Sequence, residues 1–111
     1  MTTLSNHPIT VTAAGPVAQY LAVDYNGAVA GAKANIRGIC RTPANAAGDH
    51  ILVDAGGTLE ARSGGAIQVG DALETDAQGR LVVHTDGPIV GRAVTATAAA
   101  DGLFEFEFIT N

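Results

Sequence analysis

Gly87-Pro88-Ile89-Val90-Gly91-Arg92-Ala93-Val94, followed after an Ala-rich loop by Asp101-Gly102-Leu103-Phe104-Glu105-Phe106-Glu107-Phe108, is the stretch that decides the fold. It reads as two strands joined by that loop. All three Phe residues of the chain lie in the second strand, in strict alternation with Glu. Successive side chains on a strand point to opposite faces. Phe104, Phe106 and Phe108 are therefore expected to face inward, and Glu105 and Glu107 to face water. Same-face residues lie about 6.8 Å apart, so three rings in a row cover a good part of one small sheet. They form a candidate core or subunit-contact row.

The same punctuation runs back along the chain. Arg80-Leu81-Val82-Val83-His84 is the return strand for Gly70 to Thr75. Asp76-Ala77-Gln78-Gly79 between them fits a type I turn closed by a left-handed Gly. Thr58 to Arg62 and Ile51-Leu52-Val53 are short strands bounded by glycines and polar residues. Ile9-Thr10-Val11-Thr12 alternates in the manner of a first strand. Val17 to Asp24 is a candidate second strand, ended by the Asn26-Gly27 turn signal. Ala28 to Arg41 is a long strand candidate whose apolar phase slips at Gly38, which suggests a β-bulge.

Turn signals every 8–12 residues or so point to a sandwich or barrel. The competing signal is Ala, a good helix former. At most a short helical turn fits, near Ala66-Ile67 or Ala96 to Ala100. No strict internal repeat is visible. The expected architecture is all-β: a small single-domain β-barrel or sandwich of short antiparallel strands over residues 9–111. An extended N-terminal arm precedes it over residues 1–8, where His7-Pro8 disfavours helix.

Composition bounds the function. The 111 residues include 21 Ala and 14 Gly but only five aromatics and no Trp. A core of Ala and Val is thin, so subunit burial becomes an attractive source of further stability. The formal net charge of −5 argues against nucleic acid, whose phosphates demand a basic surface. No apolar run approaches the ~20 residues of a membrane span. The start has neither the basic nor the apolar region of a signal peptide, so synthesis in a cytoplasm is expected. Cys40 is the only cysteine, which excludes an intrachain disulfide and reads as a small buried hydrophobe.

Candidate chemistry is sparse. Asp49-His50 with Asp54 could be metal ligands or a general-base pair, but no metal-ligand spacing accompanies them. They read better as polar strand ends. Gly56-Gly57 and Gly64-Gly65 lack the context of a phosphate loop and read as turn formers. Asp71, Glu74 and Asp76 lack the ligand count of a calcium loop and read as a solvated hairpin tip. Ser5, Ser63 and Thr75 sit in no nucleophile elbow. The expectation is no catalytic, metal or cofactor site and no small-molecule substrate. A sugar-binding barrel would have only Tyr20 and Tyr25 as stacking platforms.

Gly70-Asp71-Ala72-Leu73, Asp76-x-x-Gly79-x-Leu81, Ile89-Val90-Gly91-Arg92-Ala93, an Ala-rich loop and the final Gly102-led strand together resemble bacteriophage capsid cement proteins, also called head decoration proteins. The likeness covers roughly residues 27 to 110 and is strongest from Gly70 onward. It implies a β-rich protein, often a homotrimer, on the outer surface of the virion shell. There it would clamp major capsid protein capsomers after the head expands. The chain would then be made in the bacterial host cytoplasm. The resemblance also implies an arm that lies on the capsid, here Thr2, Thr3, Leu4, His7, Pro8 and Ile9. It transfers no catalytic residue. Another virion part, such as a tail, spike or adaptor component, is the alternative.

Overall fold

The computed structural model describes residues 8–108. Among them are nine strands and no helix. They are β1 (Pro8–Thr12), β2 (Ala22–Val23), β3 (Gly38–Cys40), β4 (His50–Asp54), β5 (Thr58–Arg62), β6 (Ala72–Thr75), β7 (Leu81–Val83), β8 (Gly91–Ala93) and β9 (Leu103–Phe108). Two antiparallel sheets result, ordered β1-β4-β3-β2 and β5-β9-β8-β6-β7. The all-β expectation holds. The sheets are open rather than closed into a barrel, so the sandwich reading fits.

The strand β9 behaves as its alternation requires. It pairs with β5 so that Leu59 faces Phe106 and Ala61 faces Phe104. On its other side Ala93 of β8 faces Phe106. Phe104 and Phe106 are buried, Phe108 is half-buried and Glu107 is exposed. The rings run in contact, Phe104–Phe106 tilted at 6.1 Å between centroids and Phe106–Phe108 edge-on at 6.3 Å. Ala61 and Ala93 leave room beside the rings of Phe104 and Phe106.

Two strand expectations are corrected. Ala28 to Arg41 is no long strand: only Gly38–Cys40 pairs as one. Lys33 adopts a left-handed φ of 53°, which breaks any extended run. The segment instead forms single bonds to both neighbours, among them Ala30 N to Ala22 O (2.9 Å) and Lys33 N to Thr75 O (3.0 Å). Gly38 marks a close approach and not a bulge. A Cβ there would lie 2.6 Å from Val53 Cγ1 and against the Asp54 carbonyl. Val17 to Asp24 likewise shortens to Ala22–Val23, because Tyr20 turns with φ 69°.

The chain folds as two repeats. The strand order β1-β4-β3-β2 recurs as β5-β9-β8-β6. The Pro8↔Asp54 to Thr12↔His50 ladder recurs as Thr58↔Glu107 to Arg62↔Leu103. Tyr20 N donates to Cys40 O (2.7 Å), and Gly70 N donates to Ala93 O (2.8 Å). Leu52 N donates to Thr42 Oγ1 (2.9 Å), and Glu105 N to Thr95 Oγ1 (2.8 Å). Asp24 caps its turn through Asn26 N and Ala28 N, and Asp76 does so through Gln78 N and Arg80 N. The bridge Val23↔Val29 in the first repeat corresponds to the Thr75↔Leu81 end of the β6–β7 ladder in the second.

The two repeats are not equivalent inside. One core is built by the first repeat alone, with Val17, Val23, Cys40, Ile51 and Val53 at its centre. The other combines Leu59, Leu73, Phe104 and Phe106 of the second repeat with Ala22, Ala30, Ile36 and Ile39 of the first.

Candidate functional site

Thr2, Thr3, Leu4 and His7 lie outside the described residues. Pro8 and Ile9 are strand residues, opposite Asp54 and Val53 on β1. Pro8 is exposed, and Ile9 is half-buried against the first core. The structure thus brings the end of the candidate arm onto a sheet edge. Phe104 and Phe106 lie in the core, far from acting as a surface.

The suspected chemical groups are occupied with structural work. Asp49 accepts the N–H groups of Asn45 (2.9 Å) and Ala46 (3.2 Å), closing the loop before β4. His50 reaches only the Thr12 hydroxyl, at 3.5 Å. Asp54 pairs with Arg41 Nε at 3.1 Å through one carboxylate oxygen, while its buried Oδ1 has no partner. Burial raises the Asp54 carboxyl above its ordinary value, and Arg41 opposes this in part. The buried Cys40 thiol donates to Thr42 O (3.0 Å) and is pushed up to about 11 by desolvation. A thiol so protonated is a poor nucleophile at neutral pH. Ser63 is buried, with its hydroxyl donating to Ala99 O (2.8 Å). Among the described residues, no three of His, Cys, Asp and Glu gather as metal ligands would.

The acidic hairpin is a correction. Glu74 is buried, not solvated. Its carboxylate accepts Thr85 N (2.9 Å), Gly87 N (2.9 Å) and the Thr85 hydroxyl (3.1 Å). It thereby fixes the β7–β8 loop. Asp76 and Asp101 hold Arg80 between them, at 2.9 and 3.1 Å. The backbone N–H groups of Thr85 and Gly87 keep the Glu74 carboxyl below its ordinary 4.5. A group with a depressed folded pKa contributes stability above its unfolded pKa and loses it as pH falls through the folded one. Glu74→Gln should therefore lower the melting temperature most at neutral pH. The gap to the parent protein should narrow as the pH drops below 4.5. Melts followed by circular dichroism between pH 7 and 3 check this; a pH-independent gap would contradict it.

A cleft of about 120 Å³ lies at the seam between the repeats, lined by Tyr20, Arg41, Asp54, Thr58, Glu60 and Glu105 among others. Glu60 and Glu105 stand directly opposite each other on β5 and β9. The cleft holds no nucleophile paired with a base. Exposed apolar residues are scattered over the surface instead, with Tyr25, Val69 and Leu103 the most open. Arg37 lies over the Tyr25 ring at 5.6 Å.

A model of the phage cement protein family matches residues 4–107. The chain belongs to the phage cement protein family. That family makes a structural, capsid-associated part of the phage particle. No curated protein matches the chain. Among solved structures, the crystal structure of the head fiber gp8.5 N base in bacteriophage phi29 is similar in fold. Its TM-score is 0.77 at 20% identity, covering 92% of each chain. At that identity the likeness concerns the fold.

Proposed function

We propose that this cement protein binds the outer surface of the expanded phage head as a non-enzymatic homotrimer and stabilises contacts between major capsid protein capsomers. The family match over residues 4–107 carries this reading. The physical character of the chain supports it. Several of its polar groups are spent on internal framework, among them Glu74, Asp76 and Ser63. An acidic net charge suits a surface that faces solvent. Many copies with modest contacts each can sum to a large stabilisation over a shell. In this reading residues 2–7, together with Pro8 and Ile9 at the head of β1, lie on the capsid. The chain acts without cofactor, metal, nucleic acid or membrane.

The test is direct. Purified protein mixed with expanded, undecorated heads should bind saturably at fixed lattice points and raise the temperature at which the heads rupture. Binding without fixed sites, or no change in rupture, would sink the proposal. Removing residues 1–7, ahead of β1, should weaken binding and leave the thermal melt unchanged. Equal binding by the shortened chain would remove the arm from the mechanism.

A further inference from the structure

The contact between the two repeats runs one way. The first repeat offers its Tyr20 turn, and Arg62 N at the end of β5 donates to Tyr20 O (3.1 Å). Ala22 N donates to Gly79 O (2.8 Å). The buried Thr75 hydroxyl donates to Gly31 O (2.7 Å) and accepts from Ala34 N (2.9 Å). A two-fold relation would repeat each contact with the roles exchanged. It does not: Gly27, the counterpart of Gly79, has its carbonyl bonded to Ala14 N (3.0 Å) within its own repeat. Repeat-one residues also enter the second core, while the first core contains none from the second. The relation is heterologous, and such contacts propagate until they close.

Both unused ends show it in their exposure. Leu59 and Ala61 on β5 are 2% and 1% exposed, in the core that first-repeat residues share. Ile9 and Val11, at the same places on β1, are only half-buried. Ala22 and Ala30 are both 0% exposed, because they pack on the second repeat. Ala72, the counterpart of Ala22 in the β6–β8 ladder, is half-buried, as is Val82, the counterpart of Ala30 in the turn after Asp76; the residue paired with Val82 is the buried Glu74. One end lacks its cover, and the other lacks the surface it would cover.

We propose that copies of this chain join head to tail, with β1 of one copy docking at the Gly70 turn and the Ala72–Val82 face of the next. The bond from Arg62 N to Tyr20 O would recur between chains as Thr12 N to Gly70 O. Gly70 has a left-handed φ of 90°, as Tyr20 has at 69°, and its carbonyl accepts Arg92 Nη1 at 3.2 Å, which leaves its second acceptor direction for the docking chain. The inference rests on the homotrimer reading for the number of copies, and supplies the contact that closes it.

Two single-cysteine chains test it, each also carrying Cys40→Ala. The counterpart of Cys40 is Ala93, so alanine suits that place. One chain carries Thr12→Cys and the other Asp71→Cys, whose counterparts Arg62 and Leu21 flank the Tyr20–Arg62 bond. After mild oxidation the mixture should give a disulfide-linked dimer as its main product, and neither chain alone should. A chain carrying both cysteines should close into a covalent trimer, and light scattering of the unmodified protein should give three times the chain mass. A Thr12→Cys chain that links to itself as readily would show a two-fold contact and overturn the inference. A mixture that does not cross-link would also overturn it. A monomer that still binds heads would overturn this inference and leave the proposed function standing. A head-to-tail trimer that ignores heads would do the reverse.

Discussion

Phe106→Ala should cost about 3–5 kcal/mol, the usual loss for emptying a large aromatic from a packed core. Phe106 is fully buried, in contact with the rings of Phe104 and Phe108. Its cross-strand neighbours are Leu59 on β5 and Ala93 on β8. Ala93 is too short to move into the space, and Leu59 is held in its own strand ladder. The void therefore stays open, which places the cost near the top of its range. Total stabilities of small domains are about 5–15 kcal/mol, so the variant should sit close to unfolding at 37 °C. Denaturant titration followed by circular dichroism measures it. Phe108→Ala, at a half-buried position, should cost clearly less. Equal losses at the two positions, or a loss below about 1 kcal/mol at Phe106, would remove the ring row from the centre of the core.

Gly91→Ala is the second large expected effect, and it works by crowding. A Cβ at Gly91 would press on the Glu107 carbonyl oxygen and lie 2.7 Å from Phe106 Cδ2. The carbonyl belongs to β9, which β5 holds from the other side. Relief would require β8 to leave β9, breaking the ladder from Gly91↔Phe108 to Ala93↔Phe106. Overpacking of a rigid core costs typically about 1–3 kcal/mol and more where backbone must move. The upper figure corresponds to roughly 13 °C of melting temperature in a domain of this size. Gly38→Ala should do the same in the first repeat, against Asp54 O and Val53 Cγ1. Gly15→Ala is the control, since nothing lies within 4 Å of a Cβ there. If Gly91→Ala melted within a few degrees of that control, the close approach would not be a real constraint.

Much of this fold was legible because its signals are local. The Phe–Glu alternation set the inward face of β9, and Asp76-x-x-Gly79 set the β6–β7 turn. The repeat was not legible, because its two copies share backbone geometry more than side chains. Ile51 and Val53 stand where Phe104 and Phe106 stand, and Tyr20 takes the left-handed turn that Gly70 takes. The surviving likenesses are few: Gly38 with Gly91, Thr42 with Thr95, and the turns Asp24-x-x-Gly27 and Asp76-x-x-Gly79. Glu74 was misread because the residues that bury it and bond it come from a loop ten or so positions away. Ala28 to Arg37 alternates like a strand, yet its bonds are single ones divided between its own repeat (Ala30 N to Ala22 O, Arg37 N to Val23 O) and the other (Lys33 N to Thr75 O), and no local pattern announces them. As for the site, the family likeness named a role, while the residues themselves offered no pattern that points to a reaction.

The lopsided sharing of core residues has a consequence for synthesis. The first repeat completes its interior from residues that have all left the ribosome by Asp54. The second cannot complete its own without Ala22, Ala30, Ile36 and Ile39. Chains emerge N-terminus first, so the half made earlier is also the half whose own core needs no later residue. Exchanging the order of the halves would leave the dependent one exposed during translation, with its three Phe residues unprotected.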